Sequence, residues 1–298
     1  MLEDKMFDVE HALNMHAYSF VYFPAKRIYD TENLKKFSET IDHCHIYLIG
    51  KVPKIEFINA KQEQSKLICS YSSLGKEYHI QVPLPEGMKL HFEDEHWYLS
   101  NGDGQRYAPE EDKLALQLHR QHGLPNFEVQ YIGQAFGTDG SRNALDRLKK
   151  HETLQKISVQ EVEDGYRLEI LLLEIQPSNK IITSLNPRAI DTSKTDERIS
   201  LGMEKLFGTS EKERITLYEA SLIRYFRPKF NVEFKNHFPS TNMKVLNDCY
   251  EKDFSAIVAE ICFDEMPFFL FSESVEKKHY HIAKYDLHKD ADRKVFFS

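Results

Sequence analysis

From His45 to about Leu99 the chain reads as one strand after another, which restricts it to folds containing substantial antiparallel sheet. The segments HIYLIGKV, KIEFINA, KLICSYS, EYHIQVP and HWYL are rich in β-branched and aromatic residues, and LGKE, PEG and NGDG supply turns between them. Before this run, residues 1–40 predict a helical stretch and then a strand over Tyr18–Phe23. After it the pattern changes. A helix is expected over 109–123, with Pro109 at its start, acids in its first turn and Gly123 closing it. The strand Phe127–Gly133, the glycine-containing loop Ala135–Ser141 and a helix from about Arg142 to Gln155 follow. Tyr166–Ile175 is a strand apolar enough to be central in a sheet. Residues 177–212 form a polar excursion with a short helix near Ser200–Phe207. A last helix runs from about Lys212 to Phe226 and stops before Pro228. Strand character returns at Ala256–Phe263, Phe268–Ser272 and His279–Leu287.

This order predicts an α+β fold. A small mixed β-sheet with flanking helices occupies residues 109–237, between a β-rich region 1–108 and a β-rich region 238–298 expected to pack on the first. Composition excludes several alternatives. With 298 residues, 41% hydrophobic and 29% charged, the chain is neither disordered nor collagen-like, and no apolar run approaches a membrane span. The N-terminal MLEDKMFDVEH has no apolar leader, and Cys44, Cys69, Cys249 and Cys262 are far apart, so a reducing cytoplasm is the expected location. A net charge of −8 argues against a broad nucleic-acid coat but leaves room for a local basic site.

Two stretches carry chemistry. In RNALDRLKKH, Arg147 and His151 are four apart on the expected helix, with Asn143 and Lys150 beside them and Leu145 and Leu148 turned toward a core. A solvated amphipathic face is the plain alternative. On the preceding strand, Phe127, Val129 and Tyr131 are expected on one face. In ITLYEASLIRYFRPKFN, Ile215 precedes Glu219 by four, and Leu222, Ile223 and Phe226 follow it at +3, +4 and +7. Glu219 therefore sits within an apolar stripe, where an uncompensated carboxylate costs several kcal/mol or is protonated. An Arg, a hydrogen-bond network or a divalent cation must compensate it, and a buried structural ion pair is as good a reading. Arg224, Arg227, Lys229 and Lys235 beyond the helix add a second basic patch. A cation, an anchoring acid and guanidinium groups for phosphate are what metal-assisted phosphodiester chemistry needs.

The ordered set Tyr131-Ile132-Gly133, Arg147 and His151, the strand 166–175, Glu219-Ala-Ser-Leu222-Ile223 and Pro228-Lys-Phe-Asn231 resembles the GIY-YIG nuclease superfamily over residues 127–235. The resemblance implies an endonuclease that hydrolyses DNA phosphodiesters with one divalent ion, Mg²⁺ or Mn²⁺. Carried over, Glu219 ligates the metal, Arg147 neutralises phosphate charge, Tyr131 orients or deprotonates the attacking water with His151 assisting, and Asn231 braces the site. Asn143, Lys150, Arg227 and Lys229 join as substrate-binding residues, and the partner is nucleic acid, DNA first. The family's first strand carries another tyrosine, in a GIY-like triplet joined to the YIG strand by a short hairpin. Tyr98, in Trp97-Tyr98-Leu99, is its nearest equivalent, with the 109–123 helix inserted in the hairpin; His45-Ile46-Tyr47 is a more distant one. The alternative is a catalytically degenerate module that binds nucleic acid or a protein without cleaving.

Other sets carry less. His43, Cys44 and His45 alternate faces on a strand, and His279 and His281 fit surface histidines as well as metal ligands. The loop 101–104 is most simply a turn, and 137–140 lacks the G-K-[ST] of a phosphate loop.

Overall fold

The computed structural model describes residues 4–108, 111–136, 143–150, 152–160, 163–178, 180–236, 238–239 and 244–297. Among them the chain runs β1 (Val9–Pro24), α1 (Thr31–Lys35), α2 (Ser38–His43), β2 (Cys44–Pro53), β3 (Glu56–Glu63), β4 (Lys66–Ser73), β5 (Lys76–Pro83), β6 (Lys89–Glu93), β7 (His96–Ser100), α3 (Glu111–His122), β8 (Asn126–Gln134), α4 (Ala144–Leu148), α5 (Glu152–Gln160), β9 (Tyr166–Ile175), β10 (Lys180–Leu185), α6 (Thr195–Gly208), α7 (Glu211–Phe226), α8 (Lys244–Glu251), β11 (Ala256–Cys262), β12 (Phe269–Ser272), β13 (Val275–Lys278) and β14 (Tyr280–Asp286).

The α+β class holds, but the central sheet is not small. Nine strands join in the order β13-β12-β8-β2-β9-β1-β11-β14, with β10 also paired to β1. The first half of β1 runs between β10, antiparallel, and β11, parallel from Ala12 opposite Ala256; its second half pairs with β9. Pairing on both edges explains why Ala12, Leu13 and Met15, good helix formers, are strand here rather than the expected opening helix. The polar excursion after residue 177 is tied to the same strand. Arg198 on α6 is buried, donating from Nη2 to Glu10 Oε2 at 2.6 Å and from Nε to the Val9 carbonyl at 2.5 Å.

β2 is buried on both faces, as a strand in mid-sheet must be. Ile46 and Leu48 join Phe127, Leu171 and Leu173 in the larger core, under Ile215, Leu222 and Phe226 of α7. Tyr47 and Ile49 point the other way, with Ile170 and Leu172, toward Ala144, Leu148 and Ile157 of α4 and α5. Helix α7 is set by a Ser210–Glu213 capping box and ends at Arg227 in the left-handed region, just before Pro228.

Residues 54–125, between β2 and β8, form a separate layer: the sheet β3-β4-β5, the hairpin β6-β7 and helix α3. It has its own apolar centre around Leu67, Ile80, Leu99 and Leu118. β2 and β8 are thus antiparallel neighbours whose connecting turn has been replaced by this whole unit.

Candidate active site

The pairing of β2 with β8 places Ile49 opposite Tyr131 and Gly50 opposite Val129, leaving Gln130 as an extra residue. This is a β-bulge, and it reverses the alternation of β8. Phe127 and Val129 enter the larger core, whereas Tyr131 turns to the opposite face, beside Tyr47. The expectation that Phe127, Val129 and Tyr131 share a face is corrected by that one residue.

Tyr47 lies opposite Gly133 in the pairing. A Cβ on Gly133 would stand 2.5 Å from Tyr47 Cζ and from its hydroxyl, and 2.9 Å from Tyr131 Cε1. The glycine is required because two tyrosine rings, 6.1 Å apart between centroids, cross over it. Arg147 stands close enough to the paired Tyr47 and Tyr131 rings for its charge to act on both phenols. Burial pushes both phenols above their ordinary pKa, and the Glu219 charge adds to the effect; the Arg147 guanidinium works against it. Tyr47 is the tyrosine beside Tyr131. Tyr98 is on the β6–β7 hairpin, stacked on His91 with Arg106 over its ring. Residues 54–125 separate Tyr47 from the YIG strand along the chain, and sequence distance concealed the pairing.

Glu219 is 9% exposed on α7. Gln134, the last residue of β8, hydrogen-bonds it through both its side chain and its backbone. Thr216, one turn earlier on α7, donates its hydroxyl proton to the Lys212 carbonyl at 2.8 Å and lies 3.4 Å from Gln134 Oε1. Burial, and secondarily the Glu233 carboxylate, push the Glu219 pKa up to about 8 despite those bonds. Among the described residues no cationic side chain is within ion-pair distance of Glu219, so a salt bridge to Arg147 does not compensate it. Nothing in the local sequence pattern marks Gln134 or Glu233 as partners of Glu219. The three-residue step from Tyr131 places Gln134 at the strand end nearest the helix, but only the pairing reveals its partner.

Asn231 is buried against the outer edge of β8. Its Oδ1 accepts from the Ile132 N–H at 2.9 Å and its Nδ2 donates to the Ile132 carbonyl at 2.8 Å, while the Phe230 N–H donates to the Gln130 carbonyl at 3.1 Å. β12 pairs with β8 only at Asn126–Glu128, so the 228–231 segment satisfies the edge beyond it.

The expected helix over 142–155 is two short ones, α4 and α5, with Lys149 and Lys150 in a turn between them. The four-residue stacking of Arg147 on His151 therefore lacks a continuous helix, and His151 lies outside the described residues, as does the 137–140 loop. Asn143 caps α4 by accepting from the Asp146 N–H, and its amide donates to Asp42 at 3.1 Å. Arg147 and Lys150 are exposed. Arg227, also exposed, donates to Asn236 Oδ1, and Lys229 lies over the Phe230 ring. Among the other histidines, His45 bonds the Ala135 carbonyl, His279 faces His119, and His281 bonds the Lys278 carbonyl.

No group of three or more His, Cys, Asp or Glu is gathered for a metal among the described residues. A single buried carboxylate can still serve, because Mg²⁺ keeps several waters and commonly takes only one or two carboxylates from protein. Glu219, short of positive charge and with Glu233 close enough to perturb it, fits such a donor set. Comparison of the chain with protein-family models, with curated proteins and with solved structures finds no match.

Proposed function

We propose that the chain is a divalent-metal-dependent endonuclease that hydrolyses DNA phosphodiester bonds with a GIY-YIG-like site. The observation carrying this reading is the convergence of the adjacent Tyr47 and Tyr131 rings with Arg147 and the buried Glu219, both close enough to act on the two phenols. Glu219 would hold Mg²⁺ or Mn²⁺, which when bound supplies positive charge at the scissile phosphate. Arg147, exposed beside the tyrosines, is free at its outer face to take a phosphate oxygen and stabilise charge as it develops. Tyr131, protonated and set beside Tyr47, would orient the attacking water by accepting a hydrogen bond at its hydroxyl oxygen. Asn231 and Gly133 fix the strand that carries Tyr131, so their part is positioning. Lys150, Arg227 and Lys229 offer exposed cations for the nucleic-acid backbone, whereas Asn143 is already engaged at the α4 cap.

The test is cleavage of supercoiled and linear DNA with Mg²⁺ or Mn²⁺, comparing wild type with Glu219→Gln. Cleavage should fall by about two orders of magnitude or more in the variant. Equal rates would remove Glu219 from the chemistry. Salt-dependent DNA binding without cleavage by any divalent ion would instead select the degenerate binding module, a reading favoured by the protonated state that burial imposes on Glu219.

A further inference from the structure

A cavity of about 520 Å³ lies between the inserted layer and the central sheet, within the range of small-molecule sites. Val52, Leu67, Leu118, Trp97, Tyr98 and Phe268 give it an apolar, largely aromatic wall. Arg167 and Glu169 of β9 line it as well, with Arg167 Nε 2.6 Å from Glu169 Oε1. Glu169 is 4% exposed, and its Oε2 is buried with no hydrogen-bond partner among the described residues. Its strand neighbours Ile170, Leu171, Leu172 and Leu173 are all apolar, and the charges acting on it are those of Arg167, Arg27 and Lys26. Burying a carboxylate is costly unless donors satisfy both oxygens. Arg167 meets Oε1 as an ion pair, its Nε making no hydrogen bond, and does not reach Oε2.

We infer that this cavity binds a small ring-containing ligand whose apolar body packs on the aromatic wall and whose nitrogen donor hydrogen-bonds Glu169 Oε2. An anionic or acceptor-only head would meet the carboxylate unfavourably. A purely apolar ligand would leave the oxygen unpartnered. The cavity shares no residue with the Tyr47, Tyr131, Arg147 and Glu219 group, so the inference stands or falls apart from the nuclease reading.

Trp97 is the only tryptophan in the sequence, so its indole N–H signal in the NMR spectrum of the full chain reports on this wall alone. The probes are 2-aminoquinoline and quinoline, which share a ring body and differ in the donor. The Trp97 signal should shift saturably with 2-aminoquinoline, bound roughly tenfold more tightly than quinoline, the effect of one hydrogen bond to a charged group. Glu169→Gln should erase most of that preference and leave quinoline affinity unchanged. Ala115→Phe, which narrows the cavity and leaves the Arg167–Glu169 pair intact, should abolish the shift with both probes. Absence of any Trp97 shift, equal affinity for the two probes, or an equal loss of both in Glu169→Gln overturns the inference. Retained binding in Ala115→Phe overturns it too, even if Glu169→Gln fails to fold.

Discussion

Replacing Glu219 by Gln, an isostere of the protonated acid, should stabilise the protein increasingly as pH rises. The carboxyl ionises near pH 4.5 when the chain is unfolded and near 8 when it is folded. Below pH 4.5 both states hold the proton, and the favourable burial of the neutral acid is fully present. Between those values only the folded state holds it, so wild-type stability falls with pH by about 1.4 kcal/mol per unit until the folded pKa is passed. From pH 5.5 to 7.5 that amounts to about 3 kcal/mol, which Glu219→Gln, having no group to titrate there, does not lose. Urea unfolding of both proteins in chelator across that range measures the difference directly, with Gln134 remaining as hydrogen-bond partner in each. Parallel stability curves for the two proteins would mean that Glu219 ionises normally and that its burial costs nothing. Addition of Mg²⁺ at pH 7 should recover part of the wild-type deficit and none in the variant, because the ion binds the ionised carboxylate.

Gly133→Ala should destabilise by about 1–3 kcal/mol, the usual cost of overpacking, since its Cβ would meet Tyr47 and Tyr131 well inside contact distance; an unchanged melting temperature would contradict the crossing of those rings. Asn231→Ala removes two hydrogen bonds and strands the Ile132 N–H and carbonyl, for a loss of about 2–4 kcal/mol in urea unfolding. Tyr47→Phe should slow DNA cleavage by roughly two orders of magnitude while Tyr98→Phe leaves it unchanged, and the reverse ranking would return the role to the β6–β7 hairpin.

Where the chain's own periodicity decides the structure, the sequence was readable. The strand expected at 166–175 is β9 to the residue, and the expected helix ending at Phe226 is α7, because a dense apolar run (Ile170 to Leu173) and a capping box are local signals. Glu219 was legible for the same reason, as a polar break in an apolar stripe. What was not legible depended on neighbours. Helix-forming residues at 12–15 became strand only because β10 and β11 offered edges on both sides, and β10 itself was hidden in a segment whose polar composition looked like loop. The reversal at Gln130 is a matter of register against β2, which no pattern within β8 records. Tyr47 was within reach, since His45-Ile46-Tyr47 sits in a strand-like run, but sequence proximity favoured Tyr98.

The inserted layer leaves and re-enters the sheet at adjacent points, with Lys51 opposite Glu128. Its size is therefore decoupled from the geometry around the tyrosines. Closing a longer loop adds only about 0.6 kcal/mol per doubling, and a segment that brings its own apolar centre can offset that itself. Such an appendage can be lengthened, exchanged or shed over evolutionary time while the strands at its root keep their alignment, so relatives of this chain can share a reaction centre and differ wholly in what hangs from it.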